Sequence, residues 1–314
     1  MYNSKYLEVN SDDVGLRLDK FIFKNFSNIP YSIIQKKIRT GLFKVNGFRK
    51  RASYKLNYLD KVFYIGDLIL AKNKLKNLSV NEDQKLIFKK SIIFEDNEVI
   101  ILNKPYGIPV QGGTKIKFSI NDALNQTGSK NKILRLTHRI DKNTTGILII
   151  AKSKETAKNV TELFRENKIK KTYWALVEGN PKEKKGYIKA SIAKIKVNKM
   201  EKMKVIENKE KNSITYYKTL DSRNGLSLLE VYPKTGRTHQ IRIHLLSKKC
   251  PILGDKKYKL SNNNSNKFKE INKKMYLHAK SISFKLNEKR YVVEAELPSH
   301  FKKILKLYNF IIWL

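Results

Sequence analysis

Residues 137–152 read THRIDKNTTGILIIAK. A polar cluster, His138, Arg139 and Asp141, stands just before the apolar run Ile147–Ala151. A short apolar run bounded by turn residues reads as a strand buried on both faces, which puts the cluster at the lip of a core. An acid there is costly to desolvate, so its presence calls for a reason. Taken alone, Asp141 reads as a structural loop acid paired with Arg139 or Lys142.

Similar runs lie on either side: SIIFED and EVIILNK before it, then TYWALVEG, LSLLEVYP and ISFKL. Helical patterns intervene. In SKETAKNVTELFREN, Ser153 is placed to cap a helix on which Ala157, Val160 and Phe164 share a face. Strands of mixed length with interspersed helices predict an α+β domain built on a mixed, mostly antiparallel sheet. NPKEKKG and SNNNSN read as loops, and no internal repeat is visible.

The first 80 residues have a different character. Leu18, Phe21, Ile22 and Phe26 fall at helical spacing, and Ile34 and Ile38 define a second helix that Gly41 ends. LFKVNGFRK alternates toward Asn46-Gly47, a strong hairpin signal, and a further strand is expected near Val62–Ile65. Residues 71–90 lose periodicity and become rich in Lys and Asn. The expected organisation is a small αβ domain over 1–75, a linker over 76–90 and a larger domain over 91–314.

Charge narrows the partners. The chain of 314 residues carries 66 Lys and Arg against 28 Asp and Glu, a net charge of +38. Such an excess calls for a polyanion, since each neutralised phosphate releases a counterion. An anionic membrane is the weaker candidate, because the basic residues spread over two globular patterns and not along one amphipathic helix. The first 80 residues alone hold 16 basic against 6 acidic residues. Gln35, Lys36 and Arg39 lie off the apolar face of the second helix, and Lys44, Asn46, Arg49, Lys50 and Arg51 follow on the hairpin. Clustering on adjacent elements predicts an RNA- or DNA-binding surface. Cys250 is the single cysteine, which excludes an internal disulfide and a cysteine zinc site. No secretory signal pattern and no membrane-length apolar run are present, so a soluble cytoplasmic protein is expected.

Two further stretches bear on Asp141. LNKPYGIPVQGG follows an apolar strand with a turn rich in Pro and Gly. In YPKTGRTHQIRIHLL, Thr238 is placed to cap a helix with His239 and Arg242 in its first turn, and Ile241 and Leu245 facing the core. A helix N-terminus with Arg242 suits an anion, either a phosphate or a protein carboxylate. His138, His239, His244 and His278 show no paired-ligand spacing, which argues against a metal-dependent nuclease. No P-loop or dinucleotide fingerprint appears.

The N-terminal pattern GLRLDKFI with YSIIQKKIRTGLFKVNG resembles the S4 RNA-binding domain over about residues 15–66. That family usually has Gly-Asp before its last strand; here the pair is Leu59-Asp60, a departure confined to the turn. HRIDKNTTG, KKTYWALVEG and KTGRTHQIRIHL with PILGDKKY, in this order, resemble the motifs of pseudouridine synthases of the RluA/RluC type over roughly residues 92–300. The resemblance implies that Asp141 attacks the nucleotide, at C1′ or at the uracil ring. It also implies that Arg242 pairs with that acid, and that Tyr173 stacks on uracil near C5. Arg139 then enters the RNA stack or binds phosphate once the base is extruded, with His138 and Arg237 also facing RNA. GIPVQGGT and the S4 stretch look most like the RluC subgroup, which acts on 23S ribosomal RNA near the peptidyl-transferase centre. The implied protein is a monomer without cofactor or metal, bound to 23S rRNA or large-subunit assembly intermediates. The alternatives are an RluD-like synthase and an RNA-binding ribosome-assembly factor that has lost catalysis.

Overall fold

In the computed structural model, Leu18, Phe21 and Ile22 form the buried side of helix α1 (Leu18–Asn25). Ile34 and Ile38 do the same for α2 (Tyr31–Arg39). The described residues are 5–26, 29, 31–64, 82–112, 116, 118–127, 134–197, 200–206, 212–260, 268, 271 and 273–311. They fall into two compact units, one within Met1–Ser79 and one within Val80–Leu314.

The first unit packs α1 and α2 on a three-stranded antiparallel sheet of β1 (Lys5–Glu8), β2 (Phe43–Val45) and β3 (Lys61–Tyr64), in the order β1-β3-β2. Phe43, Val45, Leu56 and Val62 complete its core. Asp19 is fully buried at the start of α1, and its carboxylate accepts hydrogen bonds from Arg17, Tyr31 and Gln35. This satisfied acid ties α1 to α2. The Asn46-Gly47 turn forms with positive φ at both residues, but only a single Val45–Phe48 bridge extends from it. Strand β2 pairs with β3 instead, so the expected hairpin is a turn inside a longer connection. Ile65 lies outside the described residues.

The second unit is a sheet of eleven strands. Its N-terminal part contains α3 (Glu82–Lys90), β4 (Ile92–Glu95), β5 (Val99–Lys104), α4 (Ile120–Thr127), β6 (Arg135–Leu136), β7 (Thr145–Ala151) and α5 (Lys154–Arg165). There follow β8 (Lys170–Glu178), β9 (Lys185–Val197), β10 (Met200–Ile206), β11 (Asn212–Arg223), β12 (Leu226–Pro233) and α6 (Gln240–Ser247). Strands β13 (Leu277–Leu286) and β14 (Lys289–Glu294) and helix α7 (Ser299–Leu307) close the chain.

The main strand order is β10-β9-β11-β12-β8-β13-β7-β5-β4, with β14 on β13 and β6 on β7. The β7–β13 pairing is parallel and the remaining ones are antiparallel. This is the mixed, mostly antiparallel α+β architecture that the strand pattern predicts. Every residue of β7 is buried, as expected of a strand covered on both faces. The Ser153 hydroxyl caps α5 by accepting from the Thr156 amide at 2.9 Å. Residues 82–90, expected in a linker, form α3, and Phe88 is buried in the core around β5 and α4. The expected linker's residues 76–81 are outside the described ones.

Candidate active site

Asp141 lies in the turn that feeds β7. The Thr144 amide donates to the Asp141 carbonyl at 3.1 Å and closes that turn. Two devices fix the turn against the sheet. Gly146, at φ +101°, brings the β7 backbone so close to β13 that a Cβ would stand 2.2 Å from the Ala279 carbonyl oxygen. The next pair in that register, Thr145 and His278, is joined by a hydrogen bond of 2.8 Å between Oγ1 and Nδ1. From the other side, the fully buried Lys104 ammonium donates to the carbonyls of Pro105, Ile108 and Lys142 at 2.9, 2.9 and 3.1 Å. Burial pushes its pKa down to about 7, opposed by the charge of Asp141.

Arg242 stands between two carboxylates. Its Nε and Nη2 donate to the two oxygens of Asp255 at 2.7 and 2.8 Å, and its Nη1 donates to Asp141 Oδ2 at 2.8 Å. Asp255 is 1% exposed and also accepts from the amides of Lys257 and Tyr258. Asp141 is 27% exposed. Burial pulls the guanidinium toward the neutral form, but Asp255 first and Asp141 second hold it above its ordinary pKa. The arginine is therefore a permanently charged, fixed donor.

The second oxygen, Asp141 Oδ1, has His239 Nε2 at 3.6 Å. Tyr258 sets the orientation of that imidazole. The Met203 amide donates to the Tyr258 hydroxyl, which lies 2.7 Å from His239 Nδ1. Because the carboxylate of Asp141, an acceptor, faces Nε2, the proton of neutral His239 is assigned to Nε2, which leaves Nδ1 to accept from Tyr258. Burial lowers the His239 pKa, with Asp141 opposing. Tyr258 also lies under the Arg242 guanidinium, 4.8 Å from ring centroid to Cζ.

A cleft of about 520 Å³, partly open to solvent, brings Asp141, Tyr173 and Arg242 together with Arg139, Arg237 and Lys171. Tyr173 comes from β8, where it pairs with Val231 of β12 and Ala279 of β13. Burial, then the charge of Asp141, raises the pKa of its phenol, which stays neutral at physiological pH. The helix start differs from expectation. Its N-cap is His239, in the left-handed region at φ 57°, and not Thr238. Ile241 and Leu245 do face the core.

His138 does not line the cleft. Its Nε2 accepts from the Ile149 amide at 2.9 Å and its ring packs 4.4 Å from Phe164. Burial lowers its pKa to about 3. Its Nε2 is taken up by β7, and the half-buried ring stands outside the residues that line the cleft. In the first unit, Gln35, Lys36 and Arg39 line one groove with Arg49, Lys50 and Arg51. The Gln35 amide is partly committed to Asp19. Lys44 is half-buried on β2. Asn46 donates to Asp60 at 2.7 Å and accepts from the Lys61 amide at 2.8 Å, so its side chain holds the turn.

The sequence profile described as RNA pseudouridylate synthase matches residues 98–247. Ribosomal large subunit pseudouridine synthase C of Buchnera aphidicola subsp. Baizongia pistaciae (strain Bp) is 36% identical over 309 residues, covering 97% of both chains. This chain belongs to the RNA pseudouridylate synthase family. The protein of the same name from Rickettsia bellii (strain RML369-C) is 35% identical over 95% of this synthase and 99% of its own length. The solved human RNA pseudouridylate synthase domain containing 4 superposes with a TM-score of 0.61 at 29% identity, covering 72% of this synthase and 95% of that chain.

Several residues that shape the pseudouridine synthase cleft escaped the sequence reading. Asp255 and Tyr258 belong to PILGDKKY, whose resemblance was visible, but their contacts to Arg242 and His239 cross an aperiodic loop. Lys104 sits in LNKPYG; a Lys that directly follows an apolar strand and precedes Pro was the available signal.

Proposed function

We propose that this synthase isomerises uridines of large-subunit (23S) ribosomal RNA, with Asp141 as nucleophile, Arg242 as its charge partner and Tyr173 as the ring on which uracil stacks. The asymmetry of Asp141 carries this reading: among the described residues, Oδ2 is held by Arg242 at 2.8 Å, while Oδ1 has only the more distant His239 at 3.6 Å. An ionised carboxylate with one accessible oxygen is what a covalent step on the nucleotide requires. The relatives named for the large ribosomal subunit, matched along nearly their whole length, support the substrate.

Isomerisation breaks the C1′–N1 bond, forms C1′–C5, and exchanges the proton on C5 for one on N1, with no net oxidation or hydrolysis. When Asp141 forms a bond to the nucleotide it gives up its negative charge. Arg242 is not left uncompensated at that stage, because Asp255 continues to hold two of its nitrogens. The same guanidinium stabilises Asp141 when it leaves again as a carboxylate. The neutral Tyr173 serves as a stacking surface. The C5 proton leaves after rejoining, when Asp141 is again free to accept it. Arg139 and Arg237, both exposed at the cleft, contact the RNA around the extruded base.

The N-terminal unit is read as an S4-like RNA-binding domain over 1–75, its phosphate-tracking surface being the groove of Lys36, Arg39, Arg49, Lys50 and Arg51. Large-subunit RNA as substrate supports a cytoplasmic location. Asp141→Asn in the full chain is expected to abolish pseudouridine formation, scored by mass spectrometry, and to leave RNA affinity nearly unchanged. Persistent turnover overturns the nucleophile assignment, and an inactive natural chain favours the assembly factor. Pseudouridine mapping of 23S rRNA from cells lacking the protein tests the substrate; an unaltered map removes it.

A further inference from the structure

The face of the sheet opposite Tyr173 carries a second arrangement. Tyr216 of β11 pairs in register with Tyr187 of β9 and with Tyr232 of β12. Cross-strand partners project to the same face, so three tyrosines form one row over adjacent strands. The neighbouring row, Tyr217, Val231 and Tyr173, points to the other side. The core around α7 covers Trp174, Leu176 and Leu228 further along, yet Tyr187 stays 61% and Tyr216 42% exposed. Their rings stand 5.9 Å apart.

Lysines surround this row. Lys234 Nζ lies 5.9 Å from the Tyr216 ring centre. Lys185 and Lys218 are paired beside the row on one side, and Lys189 projects from β9 on the other. All four are exposed. Glu230 stands opposite Lys218 on this face, and its carboxylate accepts a hydrogen bond from the Tyr232 hydroxyl; Asp221 and Glu178 lie further along the strands. A groove at the end of the strands, lined by Lys170, Lys171, Tyr216, Tyr232, Pro233 and Lys234, leads from the row toward the active site. Lys171 and Pro233 line both this groove and the catalytic cleft.

We infer that this face is a stacking platform for a single-stranded RNA segment that flanks the target uridine. Exposed aromatic rings on neighbouring strands offer π-faces to successive bases, and a lysine rim meets the phosphates. Duplex RNA does not suit it, because paired bases are already stacked on each other and their faces are unavailable. The shared wall of Lys171 and Pro233 gives the strand a route around the sheet end, from the platform into the cleft. The platform rests on RNA being the substrate, but not on which RNA.

The test uses the full chain. A dodecamer of oligouridylate bearing 5-iodouracil is photo-crosslinked and the adducts are mapped by mass spectrometry. Turnover is then compared on a target stem-loop with and without a single-stranded extension at either end. Adducts are expected on Tyr187 or Tyr216. The double substitution Tyr187→Ala/Tyr216→Ala is expected to raise KM for the extended substrate about tenfold, with little change in kcat. Tyr187→Phe/Tyr216→Phe, which keeps both rings, should restore it. Lys234→Glu should weaken the extended substrate in the same sense. Adducts confined to other residues, or equal KM values for the Ala and natural chains, overturn the inference. So does loss in the Ala variant of binding to phosphatidylglycerol vesicles while KM stays unchanged, which assigns the face to a membrane. Turnover of the unextended stem-loop by the natural chain tests the catalytic reading separately.

Discussion

Arg242 divides its donors unequally, two nitrogens to Asp255 and one to Asp141. The nearly inaccessible Asp255 is a fixed anchor, whereas Asp141 is free enough to react. Replacing Asp255 by Asn removes one negative charge and turns an amide toward the guanidinium. Breaking one side of a buried ion pair costs about 3–5 kcal/mol, so the melting temperature should fall. Arg242 also loses its orientation, and kcat is expected to drop at least about tenfold, or ~1.4 kcal/mol in the barrier, with a smaller change in KM. A kcat equal to that of the natural chain in a folded Asp255→Asn protein shows that Asp255 has no positioning role. Motif order was enough to single out Asp141, Tyr173 and Arg242, which the fold brings to one cleft. It could not single out Asp255, whose meaning lies in a contact across the loop. His138 is the opposite case: it neighbours the site in sequence, but its Nε2 accepts from the β7 backbone.

At the scale of elements, the turn before β3 carries local strain. Leu59 has φ 62° and is 55% exposed. A side chain in the left-handed region costs roughly 1–2 kcal/mol, and this leucine recovers little of that by burial. Leu59→Gly is expected to stabilise the first unit by about 0.5–1 kcal/mol after the extra freedom of unfolded glycine is counted. Chemical denaturation of the full chain, followed by hydrogen exchange at Val62, measures it; a lower stability refutes the strain argument. The neighbouring Asp60 should remain, since its carboxylate holds Asn46 and the Asn57 amide. Elements differed sharply in how readable they were. Strand β7 was legible because every one of its residues is buried and Ile147–Ala151 form an unbroken apolar run. Strands β9 to β11 were not, because the buried residues of β11 are Ser213, Thr215 and Tyr217, two of them polar, and lysine recurs along β9 and β10. Helix α3 escaped because Phe88 is its one fully buried apolar residue, set among lysines.

The whole molecule buries bases more readily than its charge suggests, and this sets its response to pH. His244 is fully buried between the hydroxyls of Ser213 and Thr215, each at 2.9 Å. His278 is fully buried between Thr145 and the Ala295 carbonyl. Burial lowers both pKa values to about 4. In the unfolded chain these imidazoles bind protons near pH 6.5. Between about 6.5 and 4 the unfolded state therefore holds more protons than the folded state, and stability falls as pH falls through this window. At pH 5 the loss is of the order of 1–2 kcal/mol for each imidazole. Lys104 acts in the same sense at higher pH: with its pKa lowered to about 7, the unfolded chain binds the extra proton up to about pH 10.4. Stability should therefore rise from pH 5 to pH 8 at constant ionic strength, followed as the melting temperature by circular dichroism. Replacing His244 by Asn, which keeps hydrogen-bonding atoms without the titration, should flatten the part between pH 5 and 6.5. A melting temperature that is level or falls over that range in the natural chain would show that the buried imidazoles are not held neutral.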